Sequence, residues 1–248
     1  MTQTSSSFAG QVALVTGASG GIGGAIARRL SAHGAAVALG YSHGRQAAES
    51  LAAEIEAGGG RAVAFAADLA DPAAPARLVR DVEERLGSIG ILVNNAGLGR
   101  TLQFDAISVE DFDTTLAVNL RAPFLLAQRV VPAMRERGAG RILFVSSVAA
   151  FTGGIVGAHY AASKAGLHGL THYLATLLAA HGITVNALAP ALVAETGMLP
   201  GAADELAERI PVGRLGRPGE VADLAVAILR NGYMTNQVVS LDGGLHPR

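Results

Sequence analysis

The stretch "VALVTGASGGIGGAIARRL", residues 12–30, decides the architecture. Val12–Thr16 is a continuous apolar run closed by a hydroxyl. Continuous rather than alternating hydrophobicity marks a strand covered on both faces, as in a parallel sheet. From Ile22 to His33 the pattern turns helical. Gly17, Gly21 and Gly23 occupy the turn between the two elements. Such glycines permit positive φ, clear a path for a pyrophosphate and let the helix pack closely on the strand. N–H groups at the helix start then face an anion, assisted by the helix dipole. Lying directly between a strand and an amphipathic helix, the glycine trio reads as a nucleotide-binding turn.

The same alternation continues along the chain. Ala36–Gly40, Ala62–Ala66, Ile91–Asn94, Arg141–Ser146, Thr184–Leu188 and Gln237–Leu241 read as further strands. Arg45–Ala57, Ala73–Leu86, Val109–Arg137, His159–Ala180 and Gly219–Leu229 read as helices, several closed by glycine. Repeated strand–helix–strand order implies right-handed crossovers and a doubly wound α/β sheet of about seven parallel strands flanked by helices. A (β/α)₈ barrel fits the length but not the first turn. No composition shift divides the chain, so residues 8–248 are expected to form one catalytic domain behind a frayed tail, residues 1–7.

Half of the 248 residues are hydrophobic and 16% are charged. A chain of this size buries about 70–75% of its unfolded surface. A net charge of -1 gives no electrostatic reason to expect nucleic acid or an anionic membrane as partner. The absence of cysteine excludes disulfides, thiolate metal sites and a cysteine nucleophile. The seven histidines show no metal-ligand spacing, so no metal is expected. Residues 1–10 lack the basic start and apolar core of a signal peptide, and a cytoplasmic location is expected.

Chemistry concentrates in "GAHYAASKAGLHGLTHYLATLLAAHG", residues 157–182. Tyr160 and Lys164 stand four residues apart on one helix face. A cation about 5 Å from a phenol, at an effective dielectric of about 20, lowers its pKa by roughly two units. On that reading Tyr160 becomes a general acid for carbonyl reduction, or a base for alcohol oxidation. Ser146 and Ser147, closing the fifth strand, are both placed to hydrogen-bond a substrate oxygen.

Four stretches together resemble the short-chain dehydrogenase/reductase family: Thr16-Gly17-x-x-x-Gly21-x-Gly23, Asn94-Asn95-Ala96-Gly97, Ser147, and Tyr160-x-x-x-Lys164. The resemblance spans nearly the whole chain and implies a Rossmann-like fold with nicotinamide chemistry. It assigns catalysis to Asn119, Ser147, Tyr160 and Lys164, selecting Ser147 over Ser146. Lys164 would also hold the nicotinamide ribose, and Asn119 would order a water linking Lys164 to solvent. Cofactor contacts are implied for Gly17, Ser19, Gly21, Ile22, Gly23, Asp68, Leu69, Asn95, Ala96, Gly97, Tyr160 and Lys164. Val193 and Thr196 follow as carboxamide contacts, in a segment one residue longer than the common family form and with Ala191 in place of glycine.

In this family the segment after the second strand reads the adenosine ribose. Here it is Gly40-Tyr41-Ser42-His43-Gly44-Arg45, with no carboxylate. Ser42 and Arg45 are suited to a 2'-phosphate, so NADP(H) is favoured and NAD(H) remains possible. The substrate rim draws on Ser147, Phe151, Ile155, Tyr160 and Met198, an apolar or mixed lining. Within the family the chain is similar to 3-oxoacyl-[acyl-carrier-protein] reductases and related carbonyl reductases. That implies reduction of a 3-oxoacyl thioester, β-keto ester or related ketone, with acyl carrier protein as a possible partner. The basic residues that would meet such a partner are Arg135, Arg137 and Arg141. An NAD-dependent alcohol or sugar dehydrogenase and a non-catalytic nucleotide sensor are the alternatives. Finally, Ala165–Ala180 contains no Asp, Glu, Lys or Arg. A helix without a charged face needs cover on every side, which predicts a homo-oligomer, a tetramer by expectation, built on this helix and Val109–Arg137.

Overall fold

The computed structural model describes residues 7–196 and 203–246. Seven strands form one parallel sheet: β1 Val12–Thr16, β2 Ala36–Tyr41, β3 Arg61–Ala66, β4 Ile89–Asn94, β5 Gly140–Val145, β6 Ile183–Pro190 and β7 Val238–Leu241. Their order is β3-β2-β1-β4-β5-β6-β7. The chain steps outward from β1 to β3, then crosses back to lay β4 on the free side of β1. This open sheet with a switch point between β1 and β4 excludes the closed barrel. Each expected strand is present, its ends matching or moved by no more than two residues.

Both faces are covered. The helices are α1 Gly21–Ala32, α2 Arg45–Ala57, α3 Ala74–Leu86, α4 Val109–Leu116, α5 Ala122–Arg137, α6 Ala149–Thr152, α7 Ala158–Leu178, α8 Ala203–Ala207 and α9 Pro218–Arg230. Ala13 and Val15 of β1 pack with Ile26 and Leu30 of α1 and Val221 of α9. Val12 and Leu14 point the other way, into a cluster with Val82 of α3, Leu126 of α5 and Leu167 of α7. Every residue of β1 is therefore buried, which is why its hydrophobicity runs on without alternation. Each such aliphatic side chain contributes roughly 1.5–3 kcal/mol by leaving water.

Two expectations are corrected. Val109–Arg137 is not one continuous α-helix: a π-helical turn over Ala117–Arg121 separates α4 from α5. Pro123, which lacks an N–H, sits in the first turn of α5, where that donor is not needed. Of the tail expected over residues 1–7, residues 1–6 lie outside the described residues. Ser7 is placed, its Oγ 3.4 Å from His33 Nδ1, and the N–H of buried Phe8 donates to His33 O at 2.9 Å.

Candidate active site

The site lies along the carboxyl ends of β1, β4, β5 and β6, where the strand order reverses. Gly17 turns the chain with φ 67°. A Cβ on Gly23 would stand 2.3 Å from Gly17 O, so only glycine lets α1 begin that close to β1. Gly20 provides no side-chain cap, leaving the first-turn N–H groups directed at the cleft. Thr16 Oγ1 accepts from the N–H groups of Asn95 (3.1 Å) and Ala96 (3.0 Å). Asn95 Nδ2 donates to Thr16 O (3.0 Å) and Gly17 O (3.2 Å). Asn95, expected to contact the cofactor, thus clamps the turn that would cradle it.

A cleft of about 440 Å³ follows from this turn toward β2 and β3. Of the residues assigned to the cofactor, Gly17, Ser19, Ser42, Asp68, Leu69, Ala96 and Gly97 line it. Asp68 also accepts from Ala70 N at 3.0 Å, shaping its own turn. Thr16, Tyr41 and His43, from the quoted motif and the segment after β2, line it as well, as do Thr114 and Val118, which were not foreseen. Thr114 and Val118 arrive from the α4 region, which only tertiary packing brings to β1–β3. His43 was legible as part of the segment after β2, and Ser19 Oγ donates to its carbonyl at 3.0 Å. Arg45 is not among the lining residues: its Nε donates to Glu49 at 2.8 Å and its side chain is 78% exposed. Helical i,i+4 spacing outcompetes the cleft for this guanidinium.

The catalytic candidates meet where β5 abuts α7. Tyr160 and Lys164 are 8% and 3% exposed. Lys164 Nζ donates to Val145 O at 2.9 Å and stands 5.6 Å from the Tyr160 ring centre. The Ser147 hydroxyl accepts from Ala149 N at 3.2 Å, and its interaction with the Tyr160 phenol favours the phenolate. Ser146 points away into the interior, toward the Lys164 carbonyl. Asn119 is fully buried in the π-helical turn. Its amide donates to Leu98 O (2.8 Å) and Ser163 Oγ (3.0 Å), and its Oδ1 accepts from Leu98 N (2.9 Å). The Asn119 side chain is thereby committed to holding the loop after β4 and the start of α7.

The electrostatics correct the expected sign for Tyr160. Its pKa is raised above the usual phenol value, because burial disfavours the phenolate more than the Ser147 hydrogen bond favours it. The Lys164 cation lies at the anticipated range but is itself desolvated, and its pKa falls to about 8. Sequence spacing located both groups and could not show how little water reaches them.

Of the substrate candidates, Met198 lies outside the described residues. Ile155 is exposed, and Phe151 packs on His168 and His246 (ring centres 4.6 and 6.4 Å apart). Val193 is buried and bridges to Gly216, and Thr196 Oγ1 donates to Val193 O at 2.9 Å. Glu195, just before Thr196, has φ 61°, in the left-handed region.

Residues 11–206 match the model of the short chain dehydrogenase family. The chain belongs to that family. The 3-oxoacyl-[acyl-carrier-protein] reductase of a Synechocystis species is 37% identical over 238 residues, covering 95% of this chain and 96% of the relative. An L-rhamnose 1-dehydrogenase (NAD(P)(+)) of a Sphingomonas species is 36% identical, covering 96% of each. Among solved structures, a blue fluorescent protein from a metagenomic library, in complex with NADPH, superposes with a TM-score of 0.91 at 36% identity, covering 97% of this chain and 100% of that one. This short-chain dehydrogenase is an oxidoreductase acting on CH–OH/C=O groups with a nicotinamide cofactor. No helix among its described residues is long and apolar enough to cross a membrane.

Proposed function

We propose that this protein reduces a ketone to a secondary alcohol with NADPH, the substrate class being β-keto esters, 3-oxoacyl thioesters and related carbonyls. The observation that carries the reading is the cleft wall after β2. Ser19, Ser42 and His43 line the cleft and residues 40–45 carry no carboxylate, a setting that suits a 2'-phosphate and lacks, in that segment, the acid that would bind two free ribose hydroxyls. The NADPH complex of the metagenomic neighbour supports the same choice.

Bound at this site, the reduced nicotinamide supplies the hydride. Tyr160, protonated at neutral pH because burial raises its pKa, gives its phenolic proton to the carbonyl oxygen. Ser147 donates to that oxygen as negative charge grows on it. Lys164 offers the positive charge that favours the transient phenolate, and its Nζ is anchored on Val145 O. The oxidative direction needs a phenolate at the outset, which the buried phenol resists.

The assay is the fall in NADPH or NADH absorbance over a panel of ketones. NADPH should be preferred by about tenfold or more in kcat/KM, the effect of one or two charge-assisted contacts. An equal or greater rate with NADH defeats the NADP(H) reading. The Sphingomonas relative supports a second reading, sugar oxidation, which turnover of aldoses with either oxidised cofactor would establish.

Of the basic residues suited to a carrier protein, Arg137 donates to Ser88 Oγ and to Ile89 O, and Arg141 to Leu229 O, at the end of the sheet opposite the site, while Arg135 is exposed on α5. A free small carbonyl is the simpler substrate. A groove between α4–α5 and α7, lined by Leu116, Leu120, Phe124, Gly166 and Leu170, supports the homo-oligomer. Tyr173 and Leu177 extend the same exposed apolar helix. Sedimentation as a monomer at micromolar concentration would overturn that assembly.

A further inference from the structure

The end of β5 is stitched to α7 by a short row of polar links. Lys164 Nζ reaches Val145 O at 2.9 Å, and Ser147, next along the chain from Ser146, interacts with the Tyr160 phenol. Between them, Ser146 Oγ donates to the Lys164 carbonyl at 3.1 Å and lies 2.8 Å from His168 Nε2. The Ser146 N–H donates to Leu188 O at 2.7 Å, pinning the same residue to β6. Ser146 is 4% exposed, so its lone pairs cannot fall back on water. A hydroxyl has one proton, and a carbonyl cannot donate. With that proton on the Lys164 carbonyl, His168 Nε2–H is the donor to Ser146 Oγ. Phe151 covers the imidazole, ring centres 4.6 Å apart, and stacks in turn on His246 at 14° between planes.

We propose that His168 is a positioning residue for the reduction: through Ser146 it sets the distance between the strand end that carries Ser147 and the helix turns that carry Tyr160 and Lys164. His168 touches no reacting atom. Without its N–H, a buried hydroxyl is left under-satisfied in the seam, and the seam can open. The interaction of Ser147 with the phenol, which spans the same seam, then weakens. Because that interaction favours the phenolate, the phenol becomes harder to ionise. This inference rests on the reductase reading and concerns the same site.

The test compares His168→Leu, His168→Gln and Ser146→Ala in the full-length protein. Gln sets an amide N–H close to where Nε2 stands, whereas Leu keeps bulk and loses the donor. His168→Leu should lower kcat for ketone reduction about tenfold, the scale of a small misplacement of a reacting group, with KM for NADPH within about twofold. The alkaline limb of its kcat profile should move to higher pH, since reduction needs the protonated phenol. Ultraviolet difference titration, with Tyr160→Phe as blank, should show the same rise without turnover. Ser146→Ala should repeat this pattern, the double variant should be no worse than either single one, and His168→Gln should restore most of the loss. Wild-type kcat and an unmoved limb in both His168→Leu and Ser146→Ala overturn the proposal. So does a loss in His168→Gln equal to that in His168→Leu, which would mean packing alone. Should His168→Leu not fold, Ser146→Ala and His168→Gln decide the matter. Should the wild type reduce no ketone, the reductase reading falls and the difference titration still judges the positioning role.

Discussion

The two ends of the cleft are built on opposite physical terms. At the end proposed for the adenosine, Ser42 and His43 are exposed side chains on the connection from β2 to α2, in water and screened by salt. At the catalytic end, Tyr160 and Lys164 are buried on a helix, and backbone carbonyls and hydroxyls hold the seam around them. Exposed groups tune which cofactor binds at little structural cost. Buried groups govern the reaction, and the fold bears their desolvation. Substitutions at the two ends should therefore differ in size and in the quantity they change.

The largest effect belongs to Tyr160→Phe. Losing the proton donor should cut kcat by about a hundredfold or more while cofactor affinity stays within about twofold, read by steady-state rates and fluorescence titration. A variant that stays active would remove Tyr160 as the acid. Next comes Ser42→Asp, which puts a carboxylate against a 2'-phosphate. The NADPH-to-NADH ratio of kcat/KM should fall by roughly tenfold to a hundredfold, with kcat on the preferred cofactor little changed. An unmoved ratio would show that this wall does not read the phosphate.

A third experiment turns on stability. The Lys164 pKa is lower folded than unfolded, so the folded protein carries a destabilising buried ammonium below about pH 8. That cost is relieved as pH rises from about 8 toward the ordinary lysine value. Lys164→Met should stabilise the cofactor-free protein at pH 7 by about 1–2 kcal/mol in denaturant melts, since the lost bond to Val145 O offsets part of the relief. The gain should vanish at strongly alkaline pH. Destabilisation at pH 7 would mean that the anchoring bond outweighs the burial. The smallest effect is expected for Arg45→Ala. Arg45 is exposed, paired with Glu49 and not among the cleft-lining residues, so KM for NADPH should rise no more than about threefold. A larger rise would show Arg45 leaving Glu49 for the phosphate.

Much of the fold was legible because a strand covered on both faces must be apolar throughout. Val12–Thr16 and Ala36–Gly40 announced themselves this way, and glycine marked the turn that Gly23's close approach to Gly17 O requires. The π-helical turn at Asn119 was not legible, since its reason is a hydrogen-bonding partnership with Leu98, 21 residues away. Neither was the Ser146–His168 link, which joins a strand end to a helix 22 residues later. The Arg45–Glu49 pair lay open in the i,i+4 spacing, yet its competition with the cleft was settled only by where α2 points.

The sequence by itself determined the layered α/β plan and the glycine turn, because periodicity and local spacing are properties of the chain, and its resemblance to the family nominated the reacting groups. Only the tertiary structure decided the proton affinities of those groups. Burial of Tyr160 and Lys164 depends on β4, β5 and α7 closing around them, and desolvation there outweighs the charge that their spacing advertised.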